Sequence, residues 1–202
     1  MSVHALVLAA GESSRMGRPK PLLELEGETF LERILATLAR LEGLGTRLVV
    51  LGHKSSDVRR SIHFHGAVPY THRGYRRGMF SSVQAGCKAL LRRDAALEAL
   101  LLCLVDQPLI EAETYAALLN AFQPERDDVV IASYHGDGGH PIVLARRLVD
   151  RLLEDRQSES LRAFIERHAE GRRYLDCDDP AVVANVNTPE AYEALKQPEE
   201  SA

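Results

Sequence analysis

The feature that most constrains this fold is an apolar segment, residues 3–8, that runs into a loop of small and basic residues, 8–20. The apolar segment is typical of a buried strand. Small residues such as Gly11 let a ligand approach the backbone, where consecutive N–H groups form an anion-binding concavity. Arg15 and Lys20 add fixed positive charge, so the loop predicts a cradle for a nucleoside triphosphate. The alternative for both basic side chains is a solvated surface.

Two common phosphate-binding loops are excluded by the spacing. A P-loop has four residues between its glycines and a lysine after the second, whereas five residues separate Gly11 from Gly17 and Arg18 follows. The dinucleotide-binding pattern G-x-G-x-x-G is also absent, because Ser13 stands where the second glycine belongs. The loop therefore matches neither of these patterns, and a nucleotide site here must be of another kind.

Short apolar runs alternate with helical patterns along most of the chain. The strand-like runs are residues 3–8, 47–51, 68–71, 99–105 and 129–133. Between them, Phe30, Ile34 and Leu38 recur at helical spacing, and Thr29 with Glu32 predicts a capping box at the start of that helix. This alternation predicts an α/β fold with a Rossmann-like, mostly parallel sheet and helices on both faces.

The pattern changes in the last third of the chain. Residues 141–144 predict a strand that follows the preceding one through a glycine-rich turn, in antiparallel orientation. Two helices and one more strand are predicted at residues 147–153, 161–168 and 181–186. Thr188 caps a final helix with Pro189 at its first position. We expect one domain, residues 1–195, and a frayed polar tail, residues 196–202.

Asp106 follows the apolar run 100–105, where an unpaired buried carboxylate would be costly. A bound Mg²⁺ that bridges triphosphate oxygens would remove that cost. The alternative is an aspartate that caps the next helix near Pro108. Ligands of open α/β sheets bind beyond the carboxyl ends of the strands, so we expect Asp106 and the loop 8–20 to face one crevice.

Four segments carry a resemblance that extends over nearly the whole chain. They are L-A-A-G-E-S-S-R-M-G-R-P-K at 8–20, L-V-D-Q-P at 104–108, G-G-H-P at 138–141 and N-V-N-T-P at 185–189. In this order they resemble the motifs of the MobA-like nucleotidyltransferases, and most closely the branch that transfers cytidylate to the molybdenum cofactor. The resemblance implies a Mg²⁺-dependent enzyme that transfers CMP from CTP to a molybdopterin phosphate and releases pyrophosphate.

The resemblance also implies a nucleotide site. We expect Lys20 to contact the α-phosphate and Arg15 the β- and γ-phosphates. Ala10 favours CTP, because the guanylyltransferases tend to carry Gly-Gly at this point. The full set of expected nucleotide contacts is Leu8, Ala9, Ala10, Gly11, Glu12, Ser13, Ser14, Arg15, Lys20, Gly78, Ser81 and Ser82. For Ser82 the alternative is a plain helix cap.

The metal and acceptor sites follow from the same resemblance. Asp106 and Asn187 are the expected Mg²⁺ ligands, with Asn185 as a further candidate, although the cytidylyl branch more often carries aspartate at one or both asparagine positions. The expected acceptor contacts are Gly139, His140, Pro141 and Arg162. His140 alternatively stabilises the turn before Pro141. Residues 157–162 retain only the arginine of the family's G-D-x-G-A-R element.

Composition excludes other classes of function. The net charge of −4 gives no electrostatic support for binding nucleic acid or a membrane surface, and the basic stretch 59–77 is interpreted as a solvated face. The cysteines lack metal or disulfide spacing, which predicts buried thiols in a cytoplasmic protein. Two alternatives remain: guanylyl transfer from GTP to the same cofactor, and a non-catalytic chaperone that binds the cofactor for insertion into a molybdoenzyme client.

Overall fold

The computed structural model describes residues 1–196, which are organised around a seven-stranded sheet. The strands are β1 (Val3–Ala9), β2 (Glu24–Leu25), β3 (Glu28–Thr29), β4 (Leu44–Leu51), β5 (Val68–Thr71), β6 (Ala99–Leu104), β7 (Val129–Tyr134), β8 (Asp137–Ala145) and β9 (Arg172–Asp176). Their order in the main sheet is β5-β4-β1-β6-β8-β7-β9, and β2 pairs with β3 in a separate hairpin. Only β8 runs antiparallel to its neighbours in the main sheet. The predicted fold class and its antiparallel strand are confirmed.

Within residues 1–196, six α-helices lie between these strands and a seventh follows the last of them. They are α1 (Phe30–Ala39), α2 (Ser55–Ser61), α3 (Met79–Arg93), α4 (Ala112–Ala121), α5 (Arg146–Glu154), α6 (Leu161–His168) and α7 (Pro189–Lys196). The predicted capping box at α1 is present: Glu32 N–H donates to Thr29 Oγ1, and the Glu32 carboxylate accepts from Thr29 N–H. At α7, Ala191 N–H donates to Thr188 Oγ1, as the sequence predicts.

The alternation of side chains along β1 divides the core into two layers. Ala5 and Val7 belong to one buried cluster, which includes Phe30 of α1 and Tyr115 of α4. Leu6 belongs to the other cluster, which includes residues of α3, α5 and α6. Because successive side chains of a strand point to opposite faces, both faces of this sheet are covered by helices.

The strand predicted at residues 181–186 is wrong. Those residues overlap a 3-10 helix, Pro180–Val182, in which Ala181 N–H donates to the Asp179 side chain and Val182 N–H donates to the Asp179 carbonyl. Val182 is fully buried there, so its apolar character reflects packing of a turn rather than strand pairing. The strand at this edge of the sheet is instead β9, which pairs in parallel with β7 and exposes Arg172, Tyr174 and Asp176.

Smaller features of the structure differ from the sequence prediction or lie outside the described residues. The short β2–β3 hairpin has no counterpart in the sequence prediction, and Cys177 is only partly buried, unlike Cys87 and Cys103. Of the predicted polar tail 196–202, Lys196 ends α7 and the rest lies outside the described residues. No helix within residues 1–196 is both long and apolar enough to cross a membrane.

Candidate active site

A cavity of about 740 Å³ opens beyond the carboxyl ends of β1 and β6. This is the edge at which ligands of parallel sheets bind. The structure brings together there nearly all the predicted nucleotide and metal residues: Leu8, Ala9, Ala10, Gly11, Glu12, Ser13, Ser14, Arg15, Lys20, Gly78, Ser82, Asp106 and Asn187. The expectation that the loop and Asp106 face one crevice is therefore confirmed.

The loop after β1 folds back on itself, and this places Lys20 at the cavity. Ser13 adopts a left-handed conformation with φ 52°, and Met16 N–H donates to the Ser13 carbonyl at 2.9 Å. The Ser13 hydroxyl oxygen accepts from Lys20 N–H at 3.0 Å, which ties the two ends of the loop together. At Gly11, an added Cβ would meet no atom within 4 Å, so the backbone there is open for a ligand.

Lys20 joins two polar side chains that come from distant parts of the chain. Its Nζ donates to Asp106 Oδ2 at 3.0 Å and to Asn187 Oδ1 at 2.5 Å. The Lys20 and Asp106 side chains are only 14% and 20% exposed. Val186 N–H donates to the Asp106 carbonyl at 2.8 Å, which holds the segment of Asn187 against the end of β6. Asp106 caps no helix, and Lys20 is not a solvated surface residue.

The two oxygens that hold Lys20 are suited to a divalent cation. A carboxylate and an amide oxygen are hard ligands, and Mg²⁺ bound by few protein groups completes its shell with water and phosphate oxygens. Asp106 and Asn187 fit this role because both oxygens already converge on one cationic group. Asn185 is exposed and does not line the cavity. Within residues 1–196, no three or more His, Cys, Asp or Glu side chains form a metal-binding group.

The helix α3 begins at the opposite wall of the cavity. Gly78 precedes it with φ 100°, a conformation that favours glycine, and Ser82 is buried while lining the cavity. Ser82 is thus not the helix cap. The predicted contact Ser81 does not line the cavity, and its hydroxyl donates to the Gly78 carbonyl at 2.8 Å and pairs with His72. Its role in nucleotide binding stays a prediction.

Sequence reasoning missed three cavity residues on the two sides of Gly78. Tyr75, Arg76 and Met79 line the cavity, and the Arg76 Nε donates to Glu12 Oε1 at 2.9 Å. This hydrogen bond raises the pKa of Arg76. The only sequence signal was the basic stretch itself, whose interpretation as a solvated face is incomplete because Arg76 faces the cavity.

The predicted acceptor residues do not line this cavity. An added Cβ at Gly139 would collide with the Val182 carbonyl, so this glycine is required by packing. His140 Nε2 is buried with no hydrogen-bond partner among the described residues. Burial lowers the pKa of His140 to about 4, and the Asp106 carboxylate opposes that shift. Pro141 belongs to β8, and Arg162 is an exposed residue of α6 that pairs with Glu166 at 3.0 Å. Their role in acceptor binding stays a prediction.

Comparison with protein families decides the class of this molecule. Residues 5–172 match the MobA-like NTP transferase domain. The chain belongs to this family. The family predicted from the four motifs is thereby confirmed, and with it the enzyme class of a nucleotidyltransferase at the level of the family.

Curated relatives fall into two groups. The chain is 32% identical over 193 residues to a probable molybdenum cofactor guanylyltransferase from Opitutus terrae, covering 91% of the chain and 90% of that protein. It is 29% identical over 222 residues to the molybdenum cofactor guanylyltransferase of Sinorhizobium fredii, covering 98% and 94%. It is also 31% identical over 146 residues to the bifunctional protein GlmU of Xanthomonas axonopodis pv. citri, with 71% of the chain matched. The chain spans only 30% of the length of that relative.

Solved structures share the fold. A homologue of Rv0371c from Mycobacterium sp. strain JC1 superposes with a TM-score of 0.78 and 30% identity, covering 96% of this chain and 94% of the other. Rv0371c of Mycobacterium tuberculosis H37Rv in complex with manganese superposes with a TM-score of 0.78 and 23% identity, covering 97% and 98%. The full-length coverage confirms that the architecture of this chain is that of known structures.

Proposed function

We propose that this chain transfers a nucleoside monophosphate from a nucleoside triphosphate to the terminal phosphate of molybdopterin and releases pyrophosphate. The observation that carries the proposal is the convergence of Lys20, Asp106 and Asn187 beneath the loop that forms one wall of the cavity. A cation, a carboxylate and an amide oxygen at a glycine-containing loop are the groups that a triphosphate and its metal require.

The chemistry is an in-line displacement at the α-phosphorus. A bond forms between an oxygen of the acceptor phosphate and the α-phosphorus, and the bond from the α-phosphorus to the bridging oxygen of pyrophosphate breaks. Asp106 and Asn187 would hold Mg²⁺, which supplies charge neutralisation on the triphosphate when bound. Lys20 then exchanges its contact with Asp106 for the α-phosphate, where negative charge develops. Arg15 stabilises the β- and γ-phosphates that leave.

For the nucleotide donor we propose GTP. The support is that two relatives matched over nine tenths or more of the chain's length carry the name guanylyltransferase. CTP is the second candidate, because Ala10 lines the cavity with a methyl group where the guanylyl branch tends to have glycine. The three cysteines are free thiols, which is consistent with a reaction in the reducing cytoplasm.

The direct test is pyrophosphate release by the purified protein with Mg²⁺, molybdopterin and each of GTP, CTP, ATP and UTP in separate reactions. We expect release with GTP. Release with CTP alone would keep the mechanism and establish the second candidate. Absence of release with all four nucleotides, from protein that still binds one of them, would contradict transfer and favour a cofactor-binding chaperone.

The matched variants are Lys20→Met and Lys88→Met. Lys88 is exposed on α3 and lies outside the cavity. Loss of one preorganised charge at the reacting phosphate is expected to lower the rate on the order of 10²–10³-fold in Lys20→Met, with no change in Lys88→Met. Equal rates for the two variants would contradict the role of Lys20.

A further inference from the structure

An ion pair crosses the mouth of the nucleotide cavity. Arg76 Nε donates to Glu12 Oε1 at 2.9 Å, and the two residues are 64 positions apart in the chain. Glu12 lies in the loop after β1, and Arg76 lies in the 3-10 turn Tyr75–Arg77 before α3. Both residues line the cavity, so the pair joins its two walls at the surface.

Glu12 is an acidic residue in a loop that is otherwise suited to anions. Gly11, Ser13 and Ser14 contribute backbone N–H groups, and Arg15 contributes positive charge. A carboxylate in this place repels the phosphates of an incoming nucleotide. In the free protein, the positive charge of Arg76 neutralises that carboxylate. Because both residues line the cavity, the ion pair belongs to the proposed binding site.

Arg76 is positioned to change partners. Its side chain is 76% exposed and that of Glu12 is 48% exposed, and exposed ion pairs contribute little stability. The guanidinium carbon lies 5.8 Å from the centre of the Tyr75 ring. That ring packs against Gly52, where an added Cβ would collide with both the ring and the Ala10 carbonyl. Tyr75 is therefore fixed beside the loop. The Arg76 guanidinium makes one contact to Glu12 through Nε, and its planar fork of donors also matches the oxygens of a phosphate group.

We propose that Arg76 is a further nucleotide-binding residue that exchanges the Glu12 carboxylate for the terminal phosphates of the bound nucleoside triphosphate. This inference rests on the proposed function. After transfer, Glu12 recovers Arg76 and thereby favours departure of pyrophosphate. Glu12 is thus an internal anion that competes with the terminal phosphates for the same guanidinium.

The test is calorimetric titration of the full chain with GTP and CTP, each with Mg²⁺, and with GMP and CMP. Arg76→Gln removes a charged hydrogen-bond donor, so we expect about a tenfold rise in the Kd of the triphosphate. Glu12→Gln frees Arg76, and we expect the Kd of the triphosphate to fall. Neither substitution is expected to change the Kd of the monophosphate. Arg76→Lys retains the charge and is expected to recover part of the lost affinity.

The matched control is Arg73→Gln, which removes the same charge three positions earlier, outside this cavity. It is expected to leave every Kd unchanged. Shifts of the same sign in Glu12→Gln and Arg76→Gln, no shift in either, or equal shifts for the monophosphate would each overturn the exchange while leaving the proposed function standing. A wild-type chain that binds no triphosphate would overturn the proposed function and the exchange with it.

Discussion

The proposed nucleotide cavity and the region of the predicted acceptor residues use the same residue types in opposite ways. At Gly11 an added Cβ would meet no atom within 4 Å, because the space beside the loop belongs to the cavity. At Gly139 an added Cβ would collide with the Val182 carbonyl, because the space is filled by the protein's own backbone. The missing side chain thus leaves open space at Gly11, whereas at Gly139 it allows the close approach of two backbone segments.

The charged residues differ in the same way. Lys20 is largely buried and contacts two oxygens at the floor of the cavity, whereas Arg162 is exposed and pairs with Glu166 on its own helix. Lys20, Asp106 and Asn187 are therefore already in contact with one another in the free protein. Of the motifs that carry the family resemblance, those at residues 8–20 and 104–108 therefore line the cavity, whereas Gly139, His140 and Pro141 do not.

The largest expected effect is on the nucleotide side. Asp106→Asn removes the carboxylate that contacts Lys20, and we expect the rate of pyrophosphate release to fall on the order of 10²–10³-fold. Asp137→Asn, at an exposed position of β8, is the control and is expected to retain the full rate. Circular dichroism establishes that both variants are folded. An unchanged rate of pyrophosphate release in folded Asp106→Asn would contradict the assignment of Asp106 to the reaction.

The two glycines provide a matched pair of substitutions. Gly139→Ala is expected to reduce the free energy of unfolding by about 3 kcal/mol, because backbone must move to accept the methyl group. Gly11→Ala is expected to change it by less than about 1 kcal/mol and to raise the Kd of the nucleotide instead. Urea unfolding and nucleotide titration of both variants check this. A Gly139→Ala variant as stable as the wild type would contradict the packing role of Gly139.

The pH dependence of stability tests whether His140 is enclosed. Burial lowers the pKa of His140 to about 4 from an unfolded value of 6.5. Between these pH values His140 binds more protons in the unfolded chain than in the folded protein. The contribution of His140 therefore lowers the free energy of unfolding as pH decreases from 6.5 towards 4, and it has little effect above 6.5. At pH 5 this lowers the free energy of unfolding by about 2 kcal/mol relative to pH 7.

The measurement is urea unfolding of the ligand-free protein at pH 7 and pH 5. His140→Gln should lose less stability between the two pH values than the wild type, by the stated amount. His135→Gln, at an exposed position of the β7–β8 turn, should behave as the wild type. Identical pH dependence in all three proteins would show that His140 titrates as an open residue.

The smallest expected effect concerns the choice of base. Ala10→Gly removes one methyl group from the cavity wall, and we expect the ratio of kcat/KM for GTP over CTP to rise by about tenfold. Ala5→Gly, in the buried part of β1, controls for loss of a methyl group elsewhere. An unchanged ratio in Ala10→Gly would mean that the base is recognised by other groups.

The sequence predicted those parts of the molecule that follow from chain order. Strand–helix alternation determines a parallel sheet, and the loop 8–20 and Asp106 then share its carboxyl edge. The Lys20 contact with Asp106 is a consequence of that arrangement together with the fold of the loop. Most of the residues that line the proposed nucleotide cavity could therefore be predicted from the sequence.

Other parts of the fold and of the cavity depend on tertiary contacts that the pattern of apolar and polar residues does not indicate. β9 was missed because an edge strand exposed on alternate positions carries arginines and a tyrosine rather than apolar residues. Residues 181–186 were assigned to a strand because Val182 is apolar, although it packs in a turn. Ser81 and Ser82 are adjacent, and only the rotation of α3 decides which one faces the cavity.

The most direct test of the central claim is mass spectrometry of the acceptor after incubation with the enzyme, Mg²⁺ and GTP, in parallel with the Asp106→Asn variant. The account predicts that the mass of molybdopterin increases by one nucleoside monophosphate in the wild-type reaction and remains unchanged with the variant. An acceptor of unchanged mass with GTP and with CTP, from a wild-type protein that binds the nucleotide, would contradict nucleotidyl transfer at this cavity.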